Sequence, residues 1–570
     1  MFINYFKTAW RNVMKHKIFS FINIFGLTIG LASFLLIALY IFDEFTFDRF
    51  HKSAEDIYRV IETKTTPEGK QTKSAGAGFQ VSEKPKTDFP EVKDAVRLIA
   101  LGRVNVSTTE NTNVFYENYT LASQGFLTTF SFELLEGDRE TALTAPYSVI
   151  VTEETAQKLF STTHVIGKMI KNDRDNQFFK ITAILKNFPV NSHLSFNLLF
   201  SESSNTNDDF RQFISSDWNS GAFASYLLLD DKTDANKVET KINQLAAASK
   251  NNEPGIKRQY TLQPLKDIHF YSNDIEGYSG RKGDISYIYV FCIIALFVLL
   301  IACINYMNLT TARFANRAKE IAIRKVAGAS RGRLTRQFLT EAFLLTTVAL
   351  LLALMLVKLL LPSFNAFTEK QLTLNNQTDF RIYAGVFIIF IITGLLSGMY
   401  PALFQSAAKP LLLLKNKVNI GKGNLSMRRS LVVFQFALSI IMIIATIVVY
   451  MQMKYVSTKD MGFNKEQLLV VDINSGKIRQ SAEAIKTSFA ALAQVKNVSV
   501  SSRVPGEWKD LPKVKVKNEK IQTPEGDDMY FIGVDDQFLE TFQIDLLQGR
   551  NFAAGSIADS SAVLINETAA

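Results

Sequence analysis

The groups able to do chemistry are few, and their spacing is poor for it. Five histidines, His16, His51, His164, His193 and His269, are scattered without H-E-x-x-H or any other ligand spacing that would gather a metal ion. The two cysteines, Cys292 and Cys303, share one apolar run that as a helix holds them roughly 16 Å apart, too far for a disulfide. No G-x-x-x-x-G-K-[ST] loop is present to cradle nucleotide phosphates, no G-x-S-x-G elbow presents a serine, and no carboxylate pair stands out among the acids. The chain therefore reads as a nonenzyme with no cofactor or metal of its own. What remains is a basic stretch in which Arg313, Arg317, Lys319, Arg324, Lys325, Arg331, Arg333 and Arg336 face one acid, Glu320. Its chemistry is docking, on anionic lipid or on a protein partner.

The elements around that stretch give it a place. Tyr287 to Met307 and Phe343 to Leu361 are each long enough to cross a hydrocarbon core, which takes about 20 residues. The basic stretch is then a short loop between spans, and its charge puts it in the cytoplasm. Spans are expected at 21–42, 287–307, 341–361, 382–404 and 431–451. Lys7, Arg11, Lys15 and Lys17 keep the N-terminus inside, and Lys409, Lys415, Lys417, Lys422, Arg428 and Arg429 mark a second inside loop. The first run is too long for a signal-peptide core and leads straight into Asp43 and Glu44, so it reads as an uncleaved span. The net charge of +9 is explained by this topology and does not call for nucleic acid. Scarce charge inside the spans argues against a proton or ion relay.

The fold class expected is an α-helical membrane protein with large extracytoplasmic α+β domains. Its parts are 1–42, the cytoplasmic N-terminus and first span; 43–286, an outside α+β domain; 287–404, three spans with an inside helix at about 316–329; 405–451, an inside linker and the fifth span; and 452–570, a second outside region. In 43–286, Ser148 to Val151 and Phe178 to Leu185 read as strands, and Glu153 to Phe160 and Ala235 to Ala248 as helices. Phe126 to Gly137 recurs as Phe538 to Gly549, and Glu154-Thr-Ala156 as Glu567-Thr-Ala569, so the two outside regions read as copies. The second copy stops one residue past the matching point, from which a C-terminally truncated sequence is inferred; the alternative is a last domain that closes differently.

Gly26 and Gly30, and again Gly394 and Gly398, are GxxxG pairs that let helices approach closely. Pro401 is expected to end or kink the fourth span. On a helical projection Phe314, Ala318, Ile321, Ala322, Val326 and Ala329 share one side, with Arg317, Glu320, Arg324 and Arg331 opposite. Glu320 and Arg324 are oriented as an i,i+4 pair, and Gly328 is placed to end the helix.

The segment Glu320 to Ala342 resembles the region after the second span in FtsX/MacB-type ABC transporter permeases. Asn23 to Ala32, then Asp43 to His51, is similar to the opening of the duplicated eight-span members common in Bacteroidetes. Phe188 to His193 and Pro264 to Phe270 look like their periplasmic-domain motifs. The resemblance implies a MacB-like periplasmic core domain with FtsX-like transmembrane helices, in the bacterial inner membrane. It implies a noncatalytic subunit that pairs with a separate ATPase, moves its periplasmic domains, and thereby exports or extracts a periplasmic or membrane cargo. Membrane lipids and a periplasmic or outer-membrane protein are the other implied partners. The family's ATPase-contacting helix maps here onto Glu320, Ile321, Ile323, Arg324, Lys325 and Gly328. The alternative is a transmembrane mechanical regulator of a periplasmic partner such as a cell-wall hydrolase. Relative to the eight-span members, the final three spans and second coupling helix are absent from this sequence.

Overall fold

The computed structural model describes residues 10–11, 14–109, 113–174, 176–205, 207–249, 255–277, 280–312, 314–374, 380–407, 422–473, 476–506, 511–516 and 527–570. Six helices organise the apolar part: α1 (Lys17–Phe45), α2 (Ile285–Ala312), α3 (Phe314–Val326), α4 (Arg331–Thr368), α5 (Phe380–Ala407) and α6 (Lys422–Thr458). All but α3 contain a stretch long and apolar enough to cross a membrane. Each runs past the span expected inside it, because the polar flanks continue the same backbone hydrogen bonding.

Small residues fix how these helices meet. Gly26 and Gly30 of α1 face α2, where a side chain at Gly30 would stand 2.4 Å from Ala302 Cβ. Gly394 and Gly398 of α5 likewise face Phe343 and Ala342 of α4. Between them Leu27, Leu31 and Leu35 pack with Leu299, Cys303, Ala349, Ala353 and Val357 in one buried cluster. Pro401 does not end α5, which continues to Ala407. Its neighbour Ala402 is wholly buried against Ile321 and Phe338, and this packing holds the turn despite the missing N–H.

Two compact units account for the chain: 1–102 with 118–169 and 179–446, and 103–117 with 170–178 and 447–570. In the first, strand Ile57–Thr65 pairs antiparallel with both Phe223–Leu229 and Lys257–Pro264. Alternate residues point to opposite faces, so Ile57, Val96 and Tyr226 enter one core with Phe126, Phe130 and Leu199, while Val60, Ala95 and Leu227 enter another with Val238, Ile242 and Tyr260. Helices Glu153–Phe160 and Ala235–Ala248 begin where Thr152 and Asp234 accept the backbone N–H of Thr155 and Asn236.

In the second unit Val106 pairs with Asn172, and Lys513–Val516 with Asp527–Tyr530. Phe538–Phe542 forms a short helix there, as Phe126–Thr129 does in the first. Asp535 gathers donors from Ser499 Oγ (2.6 Å), Val500 N (2.9 Å) and Lys486 Nζ (2.7 Å).

Candidate functional site

The residues singled out in the basic stretch come together at the N-terminal end of α4. Gly328 takes φ +89°, the left-handed conformation that closes a helix, and Ala329 N reaches back to Arg324 O at 2.9 Å. Ser330 then caps α4 through Arg333 N. The elbow turns α3 back so that Ile321 and Ala322 pack on Leu334 and Phe338 of α4 and Ala402 of α5.

Arg324 and Lys325 seat α3. Arg324 bonds Glu320 at 2.7 Å and donates to Gln337 Oε1 of α4 at 2.7 Å. Lys325 Nζ donates to Ser406 O at the end of α5, 2.6 Å away, and Thr335 Oγ1 donates to Ser406 Oγ at 3.0 Å. Burial, aided by the Arg331 charge, pushes the Lys325 amine below its ordinary value. Among the described side chains of the projection, Val326 needs correcting: it is 69% exposed, because at about 100° per residue it lies on the shoulder of the stripe, about 40° beyond Ala322, while Lys325 falls between Ile321 and Ala322 and donates to α5. Of the six residues singled out, Ile321 is buried, Arg324 and Lys325 are half-buried in internal contacts, and Glu320, Ile323 and Gly328 are exposed, Ile323 by 62%. Among the described side chains of α3, Glu320, Ile323 and Val326 are exposed, together with the Gly328 elbow. The inside loop bases Lys409, Lys415 and Lys417 lie outside the described residues.

The three sequence motifs of the outer domain meet at its base. Asp48 holds a left-handed backbone at φ 57° and accepts His193 N at 3.0 Å, with its Oδ1 lying 2.8 Å from His193 Nδ1. The other imidazole nitrogen lies 2.9 Å from the Tyr226 hydroxyl, which burial pushes up to about 12. Asn191 Nδ2 bonds Thr46 O at 3.1 Å, and Asp48 N returns to Asn191 O at 2.9 Å. His51 accepts Ser131 N on Nδ1 (3.0 Å), so its proton sits on Nε2 beside Phe130 and Phe132. Burial pushes this imidazole down to about 4. Among the described residues no three His, Cys, Asp or Glu side chains are grouped to hold a metal ion. Sequence reasoning missed this convergence, although the dense acids and histidines of the three motifs were the signal available for it.

Residues 20–245 match the family model of the MacB-like periplasmic core domain, and 292–410 that of the FtsX-like permease C-terminal region. The macrolide export ATP-binding/permease protein MacB of Sodalis glossinidius is 26% identical over 138 residues, 24% of this chain and 21% of that protein. The ABC transporter permease YknZ of Bacillus subtilis is 24% identical over 353 residues, 60% of this chain and 82% of that protein. The chain thus matches about a fifth of the length of that MacB and most of YknZ. Among solved structures, a domain of a permease protein from Porphyromonas gingivalis aligns at 17% identity and TM-score 0.35, over 42% of this chain and 98% of that one. The periplasmic region of MacB from Actinobacillus actinomycetemcomitans aligns at 10% identity and TM-score 0.26, over 36% and 90%.

Proposed function

We propose that this chain, homologous through both its domains to the MacB and YknZ ABC transporter permeases, is the noncatalytic membrane subunit of such a transporter. On this reading the five apolar helices cross the inner membrane with the N-terminus and α3 in the cytoplasm, as their flanking Lys and Arg favour. Residues 43–286 stand on the periplasmic side and 316–329 form the element that receives motion from a separate ATPase subunit. The cargo is a periplasmic or membrane-embedded molecule that the outer domain displaces.

The observation that carries the reading is the seating of α3. A cytoplasmic helix bound to the ends of both α4 and α5 by Ile321, Arg324 and Lys325, with Ile323 and Val326 left bare, is built to take a push on one face and deliver it through the other. Two exposed aliphatic side chains beside an exposed acid form a small apolar patch of the kind a partner's groove covers.

The test is to purify the full chain from its native membranes in mild detergent, as wild type and as the I323D/V326D double variant, and identify bound proteins by mass spectrometry. A Walker-motif ATPase that accompanies the wild type and is lost from a correctly inserted variant is the expected result. Equal recovery of the ATPase by both chains would overturn the assignment of α3. Variants at Ile321, Arg324 or Lys325 are poorer probes, since they also unseat the helix.

A further inference from the structure

The outer end of α4 is fastened by a buried charge cluster that the coupling reading does not use. Asp43 and Glu44 close α1. Lys370, just beyond α4, places Nζ 2.5 Å from Asp43 Oδ2 and 2.5 Å from Glu44 Oε1. The second Glu44 oxygen lies 2.6 Å from His269 Nε2, in the outer domain. The His269 ring stacks on Phe47 with centroids 3.6 Å apart, and the Lys370 ammonium also lies over the Tyr40 ring at 4.7 Å. Gly283, two residues ahead of α2, donates its N–H to His269 O at 2.8 Å, and a side chain there would stand 2.4 Å from His269 Nε2. One carboxylate, Glu44, therefore ties together the end of α1, the corner after α4 and the joint where the outer domain re-enters α2.

The corner that carries Lys370 belongs mechanically to α4. Glu369 ends the helix in the left-handed conformation, and Lys370 N bonds back to Asn365 O at 3.1 Å. The Asn365 amide brackets the turn, donating to Leu372 O (3.0 Å) and accepting Leu372 N (3.1 Å). This pair closes the backbone beyond Pro362, whose missing N–H leaves α4 without a ladder bond there. A helix of 38 residues rises about 57 Å, so its two ends lie far apart yet move as one element.

We propose that Asp43, Glu44, Lys370 and His269 form the joint through which α4 moves the outer domain. The inner seat delivers displacement to α4, and the ion cluster hands it to the domain's base at Glu44 and His269. This rests on the reading that an ATPase drives α3, but it assigns the load on the outer side to residues outside that site. Lys370 acts as a positioning residue in this scheme, with Glu44 as the shared anchor.

The experiment uses the full chain with its ATPase in lipid nanodiscs, as wild type, K370M and K370R. Two quantities are read: the ATPase rate, and the ATP-dependent change in hydrogen exchange at 43–51 and 264–277. The wild type is expected to show an exchange change on ATP. K370M is expected to keep ATPase binding and turnover while that change shrinks at least about fivefold, and K370R to restore it. If K370M fails to insert, E44Q takes its place, since it keeps the shape of the side chain and removes one charge of the cluster. K370M responding like wild type would overturn the joint alone, as would K370R failing together with K370M. A wild type that binds no ATPase would overturn the functional reading and the joint with it.

Discussion

At its inner end α4 is held by cations that meet neutral acceptors. Arg324 reaches an amide oxygen and Lys325 a backbone carbonyl, with the α3 surface open on the other side. At its outer end one cation, Lys370, meets two carboxylates in a site where its side chain is 9% exposed. Both acceptor residues are buried, Gln337 at 8% and Ser406 at 0% exposed, but they are neutral, so losing the cation strands a dipole and not a charge. One buried carboxylate, Glu44, and one half-buried, Asp43, around one ammonium cannot be parted from it without stranding charge, which suits a joint that must not slip. On the proposed reading, the same helix is held by neutral partners where it would receive force and by ion pairs where it would deliver it.

The sharpest way to break this comparison is to remove the cation at each end. K370M leaves the half-buried Asp43 and the buried Glu44 without their ammonium and is expected to cost about 3–5 kcal/mol, against about 1–3 kcal/mol for K325M, which leaves only the neutral Ser406 carbonyl unpaired. Burial draws the Lys370 amine down, but its hydrogen bonds and charge pairing with Asp43 and Glu44 outweigh this and hold it above its ordinary value, so it stays charged at neutral pH. Denaturant midpoints of the full chain in detergent decide the matter, and equal losses at the two ends would refute the contrast.

A second difference between the ends is a pH limit on the outer side. His51 titrates near 6.5 when unfolded and is held down to about 4 in the folded domain, by burial first and by the neighbouring His193, against the pull of Asp48. Because the folded value is the lower one, stability is complete above pH 6.5 and is lost as pH falls from 6.5 toward 4, by on the order of 3 kcal/mol. Unfolding of wild type and H51Q compared between pH 7 and 4.5 should show the variant losing less. Parallel curves would assign the acid sensitivity to other groups.

How much of this was legible depends on distance along the chain. Helices 153–160 and 235–248 were readable to the residue because their caps, Thr152 and Asp234, are local. The i,i+4 pair of Glu320 and Arg324 and the Gly328 stop were readable for the same reason. Val326 was misplaced because a projection of one helix shows the apolar stripe but not where its packed edge falls, and Val326 lies on that shoulder. Lys370 sits in a segment whose balanced charges drew no attention, and its partner Asp43 is 327 residues away. The internal repeat shows the same limit. Phe126 and Phe130 are wholly buried, and their counterparts Phe538 and Phe542 are buried too, because a short helix packs its own aromatic face. Leu134, however, pairs with Leu185, whereas its counterpart Leu546 lies outside any strand and is 41% exposed. Local pattern specifies the turn of helix, and only a partner strand specifies the conformation of the residues beyond that turn.

The smallest effects test whether the inner seat is shaped by backbone as much as by side chains. Gly328 and Gly332 lie one turn apart, and neither has an atom within 4 Å of where a side chain would begin. They differ only in backbone: Gly328 closes α3 at φ +89°, while Gly332 lies inside the first turn of α4. An added methyl at Gly328 opposes the left-handed conformation and should cost about 1 kcal/mol. At Gly332 the same methyl removes freedom from the unfolded chain and should stabilise by about 0.5–1 kcal/mol. Opposite shifts in midpoint for G328A and G332A would show that the elbow is held by its dihedral angle. Shifts of the same sign would mean that α3 re-forms its end around the new side chain, and the seat would then owe its shape to Ile321, Arg324 and Lys325 alone.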